Sequence, residues 1–540
     1  MKHPLLLKNT LERGVRLSPE TTHVWNEPAR KEVGLEPIYR CTYKDLYRRV
    51  RQVANMVNGL GVKAGDWVGI LSDNSHRATE IDFAIPMMGA ACHFMYPTQP
   101  VEQVSYLAKK GQYKVLFIDE KYISMAEKVA KELTIQGYII MSDRQDLPQT
   151  SLSPVYSYEK LINEVSSEYI FPENLDENQV AVILNTGGST GMPKLMTHSH
   201  RSVMLHTLDI CMPADAWGIR GDDTILLAMP VWYANHYNVH YAAALAGAKM
   251  VFPNSLPEGK ELGELIEREG VTFTYGTGSH FASWVSDWER ENWKYDLTSL
   301  DRVANNLSSI ASPSVCKTLH EKTGAKIFSG MGFTEGCPIT SVGICRSEDW
   351  EEIEKVITKD GKRTFLIDIK VVATIGGKEV KPDGKEIGFI GYKGPHIIEE
   401  YYDEPKKTAE SFDDEGFFYS GDVGTIDADG NTLVRGRKED MINTREGLIP
   451  PKYFEDIVMN QFTFVTECAA VGIPSGEYEK PVIAVVLRES YKGKENEESI
   501  RKAFEGKIPE SIIPEVRIFE SLPRQAAGKL SRLELKKMLS

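Results

Sequence analysis

A loop rich in glycine and hydroxyl groups, NTGGSTGMPK at residues 185–194, carries the residue types that bind phosphate groups. An apolar run at 180–184 precedes it and predicts a buried strand that leads into the loop. Glycine lets the backbone turn sharply and bring its N–H groups close to an anion, while the hydroxyls and Lys194 add donors and positive charge. The G-x-x-x-x-G-K-[ST] pattern of the common triphosphate loop is missing, since Pro193 separates the last glycine from the lysine. We therefore expect a nucleotide polyphosphate here, although this composition alone is also typical of a surface loop without a ligand.

Four further motifs follow the loop along the chain. They are GMGFTEG at 330–336, YSGDVGTID at 419–427, GRKEDMI at 436–442 and PRQAAGKLSR at 523–532. In the first of them, Glu335 is a hard oxygen ligand of the kind that Mg²⁺ prefers. In the second, Asp422 has two acceptor oxygens, which suit the two hydroxyls of a ribose. Taken singly, each of these acidic residues is equally typical of an ordinary turn.

The order and spacing of the five motifs resemble the adenylate-forming (ANL) family, which includes acyl-CoA synthetases, aryl-acid ligases, peptide-synthetase adenylation domains and luciferases. The resemblance runs from about Thr42 to Lys529, and PVWYANHY at 230–237 makes it look most similar to medium- and long-chain fatty acyl-CoA synthetases. It implies an AMP-forming acyl-CoA synthetase that uses ATP, Mg²⁺ and CoA. A carboxylic acid, expected to be a fatty acid, would react with ATP to give acyl-AMP and pyrophosphate, and acyl transfer to CoA would then release AMP.

The resemblance also implies roles for individual residues, carried over motif by motif. The catalytic residues are Thr334, Glu335 and Lys529, and the last of these bridges the carboxylate of the acid and the α-phosphate. The nucleotide is bound by Thr186, Gly187, Gly188, Ser189, Thr190, Lys194, Asp422 and Arg437. Glu335 and Thr186 serve the metal ion, and the acyl and CoA channel is bordered by Trp232, Tyr233, Tyr237 and Gly330. The small C-terminal domain rotates about Glu439 between the two half-reactions.

Three sites depart from the family pattern. Tyr233 stands where the family motif P-x-F-H has its histidine, and Ser308 and Ser309 stand where a glycine pair flanks the adenine. Glu439 occupies a hinge position at which lysine or aspartate is usual. These departures keep open a non-catalytic nucleotide-binding regulator. A ligase for aryl or other carboxylic acids that loads a separate carrier protein is a further alternative to a CoA ligase.

Alternating strand and helix patterns surround the motifs. Strands are expected at 66–71, 91–96, 115–119, 223–229 and 248–252. Helices lie between them, and one is expected to begin after Thr42, which can cap its first turn with Asp45 three residues on. This alternation predicts an α/β fold, with a large N-terminal domain at 1–437 built of parallel or mixed sheets flanked by helices. Residues 438–540 are predicted to form a small, mobile α+β domain.

The composition excludes several classes of protein. The 540 residues are too many for one core, and the net charge of −14 argues against nucleic acid as the main ligand. The chain starts with only three consecutive leucines, so we expect no signal peptide, and no apolar run reaches the ~18 residues of a membrane span. The 7 dispersed cysteines contain no CxxC pair, which is typical of free thiols in a reducing compartment. We therefore expect a cytoplasmic protein and leave open whether it is a homodimer.

Overall fold

The computed structural model describes residues 3–186, 192–212, 217–255, 257–306, 311–337, 339–343, 347–462, 464–488, 491–493, 496–524 and 530–540. In chain order its strands are β1 (Thr22–Asn26), β2 (Ile38–Thr42), β3 (Trp67–Leu71), β4 (Ala91–Phe94), β5 (Val115–Asp119), β6 (Gly137–Met141), β7 (Val155–Ser157), β8 (Val180–Asn185), β9 (Leu195–Ser199), β10 (Thr224–Leu226), β11 (Lys249–Phe252), β12 (Phe273–Gly276), β13 (Arg302–Asn306), β14 (Lys326–Met331), β15 (Ser341–Val342), β16 (Lys362–Arg363), β17 (Asp368–Val372), β18 (Gly388–Lys393), β19 (Phe418–Ile426), β20 (Thr432–Arg437), β21 (Ile442–Thr444), β22 (Gly447–Ile449), β23 (Val465–Ser475), β24 (Tyr478–Leu487) and β25 (Glu515–Phe519).

Its α-helices are α1 (Lys8–Leu17), α2 (Tyr43–Gly59), α3 (His76–Met87), α4 (Val101–Gly111), α5 (Ile123–Val129), α6 (Tyr158–Glu164), α7 (His200–Cys211), α8 (Val239–Ala246), α9 (Gly259–Glu269), α10 (Gly278–Arg290), α11 (Pro313–Thr323), α12 (Trp350–Ile357), α13 (Pro405–Ser411), α14 (Pro451–Gln461), α15 (Glu497–Arg501) and α16 (Arg532–Leu539). Short 3₁₀ helices at Ala234–His236, Thr334–Gly336 and Lys438–Asp440 lie in or beside the predicted site.

Two large sheets form the framework of the N-terminal part of the chain. The first has the order β7-β6-β5-β3-β4-β8-β9, with β9 antiparallel to β8 and the other neighbours parallel. The second has the order β16-β15-β14-β13-β12-β10-β11-β1-β2, with parallel pairs in its centre and antiparallel strands at both edges. Residues of α2 and α3 share one hydrophobic core with β3. The predicted α/β fold with mixed sheets flanked by helices is therefore confirmed.

Helix α2 begins where the sequence predicts it. Thr42 Oγ1 accepts a hydrogen bond of 3.1 Å from the Asp45 N–H, and an Asp45 carboxylate oxygen accepts one of 3.3 Å from the Thr42 N–H. This reciprocal pair satisfies two donors that the first helical turn leaves without partners. The helix ends at Gly59, and Gly61 follows in the left-handed region with φ of 89°. The local signals at both ends therefore agree with the structure.

The strand predicted at 223–229 is shorter than expected. Strand β10 covers Thr224–Leu226, after which the Leu227 N–H still donates to the Val251 carbonyl at 2.9 Å. The chain then leaves the sheet, because Pro230 has no N–H to continue the ladder and the aromatic segment turns into a 3₁₀ helix. The apolar residues at 227–229 are buried in the core and do not extend the sheet, so their hydrophobic pattern is that of a buried loop.

The predicted site lies where strands of the two large sheets end. Strand β8 ends at Asn185, directly before the glycine-rich loop, and β14 ends at Met331, directly before the turn that carries Glu335. Ligand sites of open α/β sheets lie beyond the carboxyl ends of the parallel strands. This position explains why two motifs far apart in sequence belong to one site.

The C-terminal part has its own α+β core. Strands β23, β24 and β25 form one sheet and β21 and β22 form another, and both are covered by helices that include α14 and α16. The four-stranded sheet before it ends at Arg437, the last residue of β20. The domain boundary between residues 437 and 438 and the mobility of the smaller domain stay predictions.

In the part of the chain that the structure describes, no helix is both long and apolar enough to cross a membrane. The six cysteines in the same part are free thiols.

Candidate active site

Two of the predicted nucleotide-binding residues, Thr186 and Lys194, hydrogen-bond to each other at the base of the glycine-rich loop. The Thr186 N–H donates to the Lys194 carbonyl at 3.2 Å, and the Lys194 N–H donates to Thr186 Oγ1 at 3.2 Å. These reciprocal bonds continue the antiparallel pairing of β8 and β9 and fix where the loop starts and returns. The other four residues predicted to bind nucleotide in this loop lie outside the described residues: Gly187, Gly188, Ser189 and Thr190.

The second motif presents Thr334 and Glu335 on a 3₁₀ turn. The Glu335 carbonyl accepts a hydrogen bond of 2.8 Å from the Ile398 N–H, which holds the turn in place. One carboxylate oxygen of Glu335, Oε1, accepts a hydrogen bond of 2.7 Å from the Tyr401 hydroxyl. Both motif residues are partly exposed, so their side chains are accessible to a ligand.

The structure brings both Lys194 and Glu335 into contact with Tyr401. The Lys194 ammonium lies 4.7 Å from the centre of the Tyr401 ring, while the hydroxyl of the same ring is bonded to Glu335. Burial, together with the charge of Lys407, lowers the pKa of Lys194, although Glu335 opposes that shift. Burial and the Glu335 carboxylate raise the pKa of Tyr401, so its hydroxyl remains a donor. Tyr401 is a site residue that the sequence analysis missed.

Asp422 and Arg437 face each other on neighbouring strands. They are paired in the antiparallel register of β19 and β20, and Arg437 Nε lies 2.8 Å from Asp422 Oδ1. Arg437 also donates to the Ser420 carbonyl at 2.8 Å, and the Ser420 hydroxyl donates to Asp422 Oδ2 at 2.5 Å. The Asp422 charge raises the pKa of Arg437 and keeps the guanidinium ionised. A carboxylate and a cation are therefore held side by side on two neighbouring strands.

The predicted hinge residue Glu439 lies against the same strand pair. It is in the 3₁₀ helix Lys438–Asp440, which directly follows β20. A Cβ atom on Gly421 would lie 3.7 Å from Glu439 Oε2, so the carboxylate approaches the glycine of the motif at 419–427. Gly421 has φ of 92°, a conformation that side chains rarely adopt.

Aromatic rings from two loops meet beyond the sheet edge. The Trp232 ring lies 5.1 Å from the Tyr96 ring, which in turn lies 6.2 Å from the Tyr233 ring. The Trp232 indole N–H donates to Asp73 Oδ1 at 3.5 Å. Tyr233, the residue in the family's histidine position, is buried in this aromatic group. Gly330 is buried in β14, opposite Asn306 of β13 and Val342 of β15.

Tyr237 is held in a buried polar cluster around Asp82 of α3. Its hydroxyl donates to Asp82 Oδ1 at 2.9 Å, and the Tyr241 hydroxyl and Cys92 thiol approach the same oxygen at 3.3 and 3.4 Å. His240 Nε2 lies 3.1 Å from the other oxygen, Oδ2. Burial alone would raise the pKa of Asp82, but the His240 charge and the hydrogen bonds lower it below its usual value. The carboxylate is therefore ionised inside the core, and burial raises the pKa of Tyr237 well above its usual range.

Three further residues of the sequence analysis, Lys529, Ser308 and Ser309, lie outside the described residues. The residues that flank the first of them, Arg524 and Leu530, pair in an antiparallel bridge. Burial and the charge of Arg524 lower the pKa of His280, on α10, to about 4. Arg524 therefore lies near α10.

The described residues fit magnesium bound together with a nucleotide. Among them, no group of three or more His, Cys, Asp and Glu side chains is arranged to hold a metal ion. Mg²⁺ usually takes only one or two protein carboxylates and completes its shell with phosphate oxygens and water. Glu335 is one carboxylate of this kind, and Tyr401 contacts both it and Lys194 at the base of the glycine-rich loop.

Comparison with known proteins agrees with this geometry. A family model described as AMP-binding enzyme matches residues 12–402. A long-chain-fatty-acid–CoA ligase of Thermus thermophilus is 30% identical over 507 residues, which cover 92% of this chain and 90% of that protein. A 3-methylmercaptopropionyl-CoA ligase of Ruegeria lacuscaerulensis is 27% identical over 543 residues, which cover 99% of this chain and 97% of that protein. The solved structure of the anthranilate CoA ligase AuaEII, in complex with anthranoyl-AMP, matches with a TM-score of 0.82 at 21% identity and covers 99% of this chain and 97% of that chain.

The fold and the match over most of the chain define an adenylate-forming enzyme of the acid–thiol ligase class. The chain belongs to the AMP-binding enzyme family. The predicted family, fold class and enzyme class are confirmed, and the chain is an AMP-forming acyl-CoA ligase.

Proposed function

We propose that this ligase acts on a fatty acid and that the site around Tyr401 binds the magnesium complex of ATP. The observation that carries the proposal is that Lys194, from the glycine-rich loop, and Glu335, from the turn after β14, both contact Tyr401. A cation and a carboxylate that share one neighbour suit a nucleotide whose phosphates contact the lysine and whose metal ion contacts the glutamate. Mg²⁺ held by Glu335, with Thr186 nearby, would supply charge neutralisation at the phosphates.

In the first half-reaction, a carboxylate oxygen of the acid attacks the α-phosphorus of ATP. The new P–O bond gives acyl-AMP, and the bond to pyrophosphate breaks with its electron pair going to the leaving group. No protein base is needed because the acid is already ionised near neutral pH. The residues of this chain act by position and charge: Lys194 and Thr186 hold the outer phosphates, and Lys529 bridges the carboxylate and the α-phosphate.

Asp422 and Arg437 are proposed to hold the nucleoside end. The Asp422 carboxylate accepts hydrogen bonds from the ribose hydroxyls, and Arg437 remains charged beside it. Arg437 is the last residue of β20 and directly precedes the 3₁₀ helix that carries Glu439, so the nucleoside end of the site adjoins the proposed hinge. Rotation about Glu439 then removes Lys529 and admits the thiol of CoA, which attacks the acyl carbonyl and displaces AMP.

The fatty-acid assignment is supported by the relatives and by the aromatic walls near the site. The curated relative at 30% identity is named for long-chain fatty acids, which favours a fatty acid here; another relative is named for 3-methylmercaptopropionyl-CoA, so the test below includes other acids. Trp232, Tyr233 and Tyr237 supply the apolar surface that an alkyl chain needs.

The test is a screen of pyrophosphate release over straight-chain, branched and aromatic carboxylic acids, with and without CoA. We expect acid-dependent release with fatty acids and thioester formation only when CoA is added. Release with aromatic acids alone would contradict the fatty-acid assignment. Transfer to a carrier protein, with none to CoA, would favour the carrier-loading alternative, and the lack of any acid-dependent release would favour the non-catalytic regulator.

A further inference from the structure

The segment 396–402, between β18 and α13, joins the two halves of the candidate site. At one end, the Ile398 N–H donates to the carbonyl of Glu335 at 2.8 Å. At the other end, the Tyr402 N–H donates to the carbonyl of Leu195 at 2.9 Å, one residue beyond Lys194. The segment is therefore bonded through its backbone both to the turn of the second sheet and to the first residue of β9 in the first sheet.

Tyr401 adds side-chain contacts to both halves. It forms an antiparallel bridge with Met196, and its side chain is 4% exposed. Its hydroxyl donates to Glu335 Oε1 at 2.7 Å, and the Lys194 ammonium lies 4.7 Å from the ring centre. The Tyr401 N–H is bonded to Thr408 Oγ1 at 3.0 Å, which fixes the backbone from which the ring projects.

One aromatic side chain therefore contacts two groups of opposite charge through different atoms. The hydroxyl donor stabilises the carboxylate, and the negative face of the ring stabilises the ammonium. Among the ion pairs of the described residues, none joins Lys194 directly to Glu335, so Tyr401 is the side chain that contacts both. The contact through Oε1 leaves the second carboxylate oxygen, Oε2, for a metal ion.

We propose that Tyr401 is a positioning residue that ties the metal-binding carboxylate of Glu335 to the phosphate-binding ammonium of Lys194. The tie sets the distance between the two groups so that they bind one ligand, a nucleoside triphosphate with its divalent cation. This inference rests on the proposed function, in which Glu335 and Lys194 contact the metal and the phosphates. Tyr401 touches neither the acid nor the reacting phosphorus.

The hydroxyl and the ring make separate predictions. Tyr401→Phe removes the bond to Glu335 but keeps the ring beneath Lys194, so it should weaken metal binding and leave metal-free ATP binding unchanged. Loss of a hydrogen-bonding partner behind a metal ligand typically lowers metal affinity about 10–100-fold. Tyr401→Leu also removes the ring, so metal-free ATP binding should weaken as well, by about 2- to 30-fold.

The measurement is direct binding by the full chain with no acid present, so that no reaction occurs. Mn²⁺ serves as the metal probe, and its affinity in the presence of saturating ATP is followed by electron paramagnetic resonance. ATP affinity in EDTA is measured by calorimetry. Tyr402→Phe is the matched control, because Tyr402 is the next residue and packs on Trp67 at 4.7 Å between ring centres, away from both charges. We expect the control to match the wild type in both measurements.

A second variant keeps the test decisive if Tyr401→Phe is less stable than the wild type. Glu335→Gln removes the carboxylate charge, so adding Tyr401→Phe to it should change Mn²⁺ affinity by less than twofold, a non-additivity that reports direct coupling. Additive effects of the two substitutions would overturn the proposal. Equal weakening of Mn²⁺ binding and metal-free ATP binding by Tyr401→Phe would also overturn it, since a merely structural role moves both.

The binding assay is separate from the test of the proposed function. If the wild type binds Mn²⁺ and ATP but releases no pyrophosphate with any acid, the proposed reaction fails while the role of Tyr401 is still measured. If the wild type binds ATP but no Mn²⁺ with it, Glu335 is not a metal-binding carboxylate for Tyr401 to position, and the inference is wrong.

Discussion

The hydrogen bond between Tyr237 and Asp82 allows a test of whether Tyr237 borders the acyl channel or is only a core residue. The two side chains are 2% and 1% exposed, and the hydroxyl lies 2.9 Å from a carboxylate oxygen. A hydrogen bond to a charged group is worth ~1.5–3 kcal/mol. Tyr237→Phe removes this donor and leaves the weaker contacts of Tyr241 and Cys92 on the same oxygen, at 3.3 and 3.4 Å. The free energy of unfolding should therefore fall by ~1.5–3 kcal/mol.

The same bond should also control the choice of acid if Tyr237 borders the acyl channel. Moving the ring aside for a longer chain requires breaking the bond to Asp82, so the wild type carries that free energy as a penalty against long acids. A free energy of ~1.5–3 kcal/mol corresponds to a factor of about 10–150. In Tyr237→Phe, the ratio of kcat/KM for a long acid to that for a short acid should rise by up to this factor.

Urea unfolding measures the first effect, and pyrophosphate release across a series of chain lengths measures the second. Tyr241→Phe is the matched control, because its hydroxyl is bonded to the Asp82 carbonyl at 2.8 Å and to Oδ1 at 3.3 Å, yet it is not a predicted channel residue. It should destabilise the protein without changing the chain-length ratio. If both variants change that ratio equally, or neither does, Tyr237 does not border the channel. If Tyr237→Phe unfolds at the same urea concentration as the wild type, the carboxylate does not depend on this donor.

Five other substitutions make four further predictions. Lys194→Ala should lower kcat/KM for ATP by about 10- to 150-fold. The unfolding temperature should not fall, because the half-buried Lys194 side chain packs against little of the hydrophobic core. An unchanged ATP saturation curve would contradict its role. Glu335→Gln should raise the magnesium concentration needed for half-maximal adenylation and lower the rate at saturation by about 100-fold; an unchanged magnesium profile would place the metal elsewhere. Lys529→Ala should slow adenylation by about 10²–10³-fold and leave acyl transfer from a presynthesised adenylate near normal. Glu439→Pro should instead leave adenylation near normal and slow acyl transfer to CoA. Equal slowing of both steps in Lys529→Ala would refute the rotation scheme. Glu27 is buried and its carboxylate lies 2.7 Å from His76 Nδ1. Burial alone would raise the pKa of Glu27, but His76 lowers it from 4.5 to about 2 in the folded state. The contribution of Glu27 to stability is therefore complete above pH 4.5 and is lost as pH falls towards 2, and in Glu27→Gln the free energy of unfolding should depend less on pH over that window.

The sequence predicts those parts of the fold that depend on local signals. Helix α2 begins after Thr42 because Thr42 and Asp45, three residues apart, exchange hydrogen bonds across the first turn. This spacing can be read directly from the sequence. Strand β8 is predicted because an apolar run must be buried and the glycines that follow it must turn. The length of β10 is not predicted, since a buried loop and a buried strand share the same apolar pattern up to Pro230.

The residues that the sequence analysis missed owe their place to contacts across the fold. Tyr401 is 66 residues from Glu335, and Asp82 is 155 residues from Tyr237. Asp82 did leave one signal, because it is the acidic residue inside the otherwise apolar run at 81–87, and a charge in such a run needs partners. Tyr401 left none, since a tyrosine between two elements has no periodicity to break.

This difference follows from how the site is built. The glycine-rich loop and the turn with Glu335 each follow a strand with a parallel neighbour, so each is placed by its own strand and can be recognised from its own neighbours in sequence. Neither strand alone sets the distance between the glycine-rich loop and the turn with Glu335, because β8 and β14 are in different sheets. A residue on a third segment must set that distance, and Tyr401 does so by bonding to Glu335 and contacting Lys194. A change at Tyr401 should therefore affect how the metal and phosphate sites work together more than it affects either site alone, which is the behaviour that the Mn²⁺ and ATP measurements distinguish.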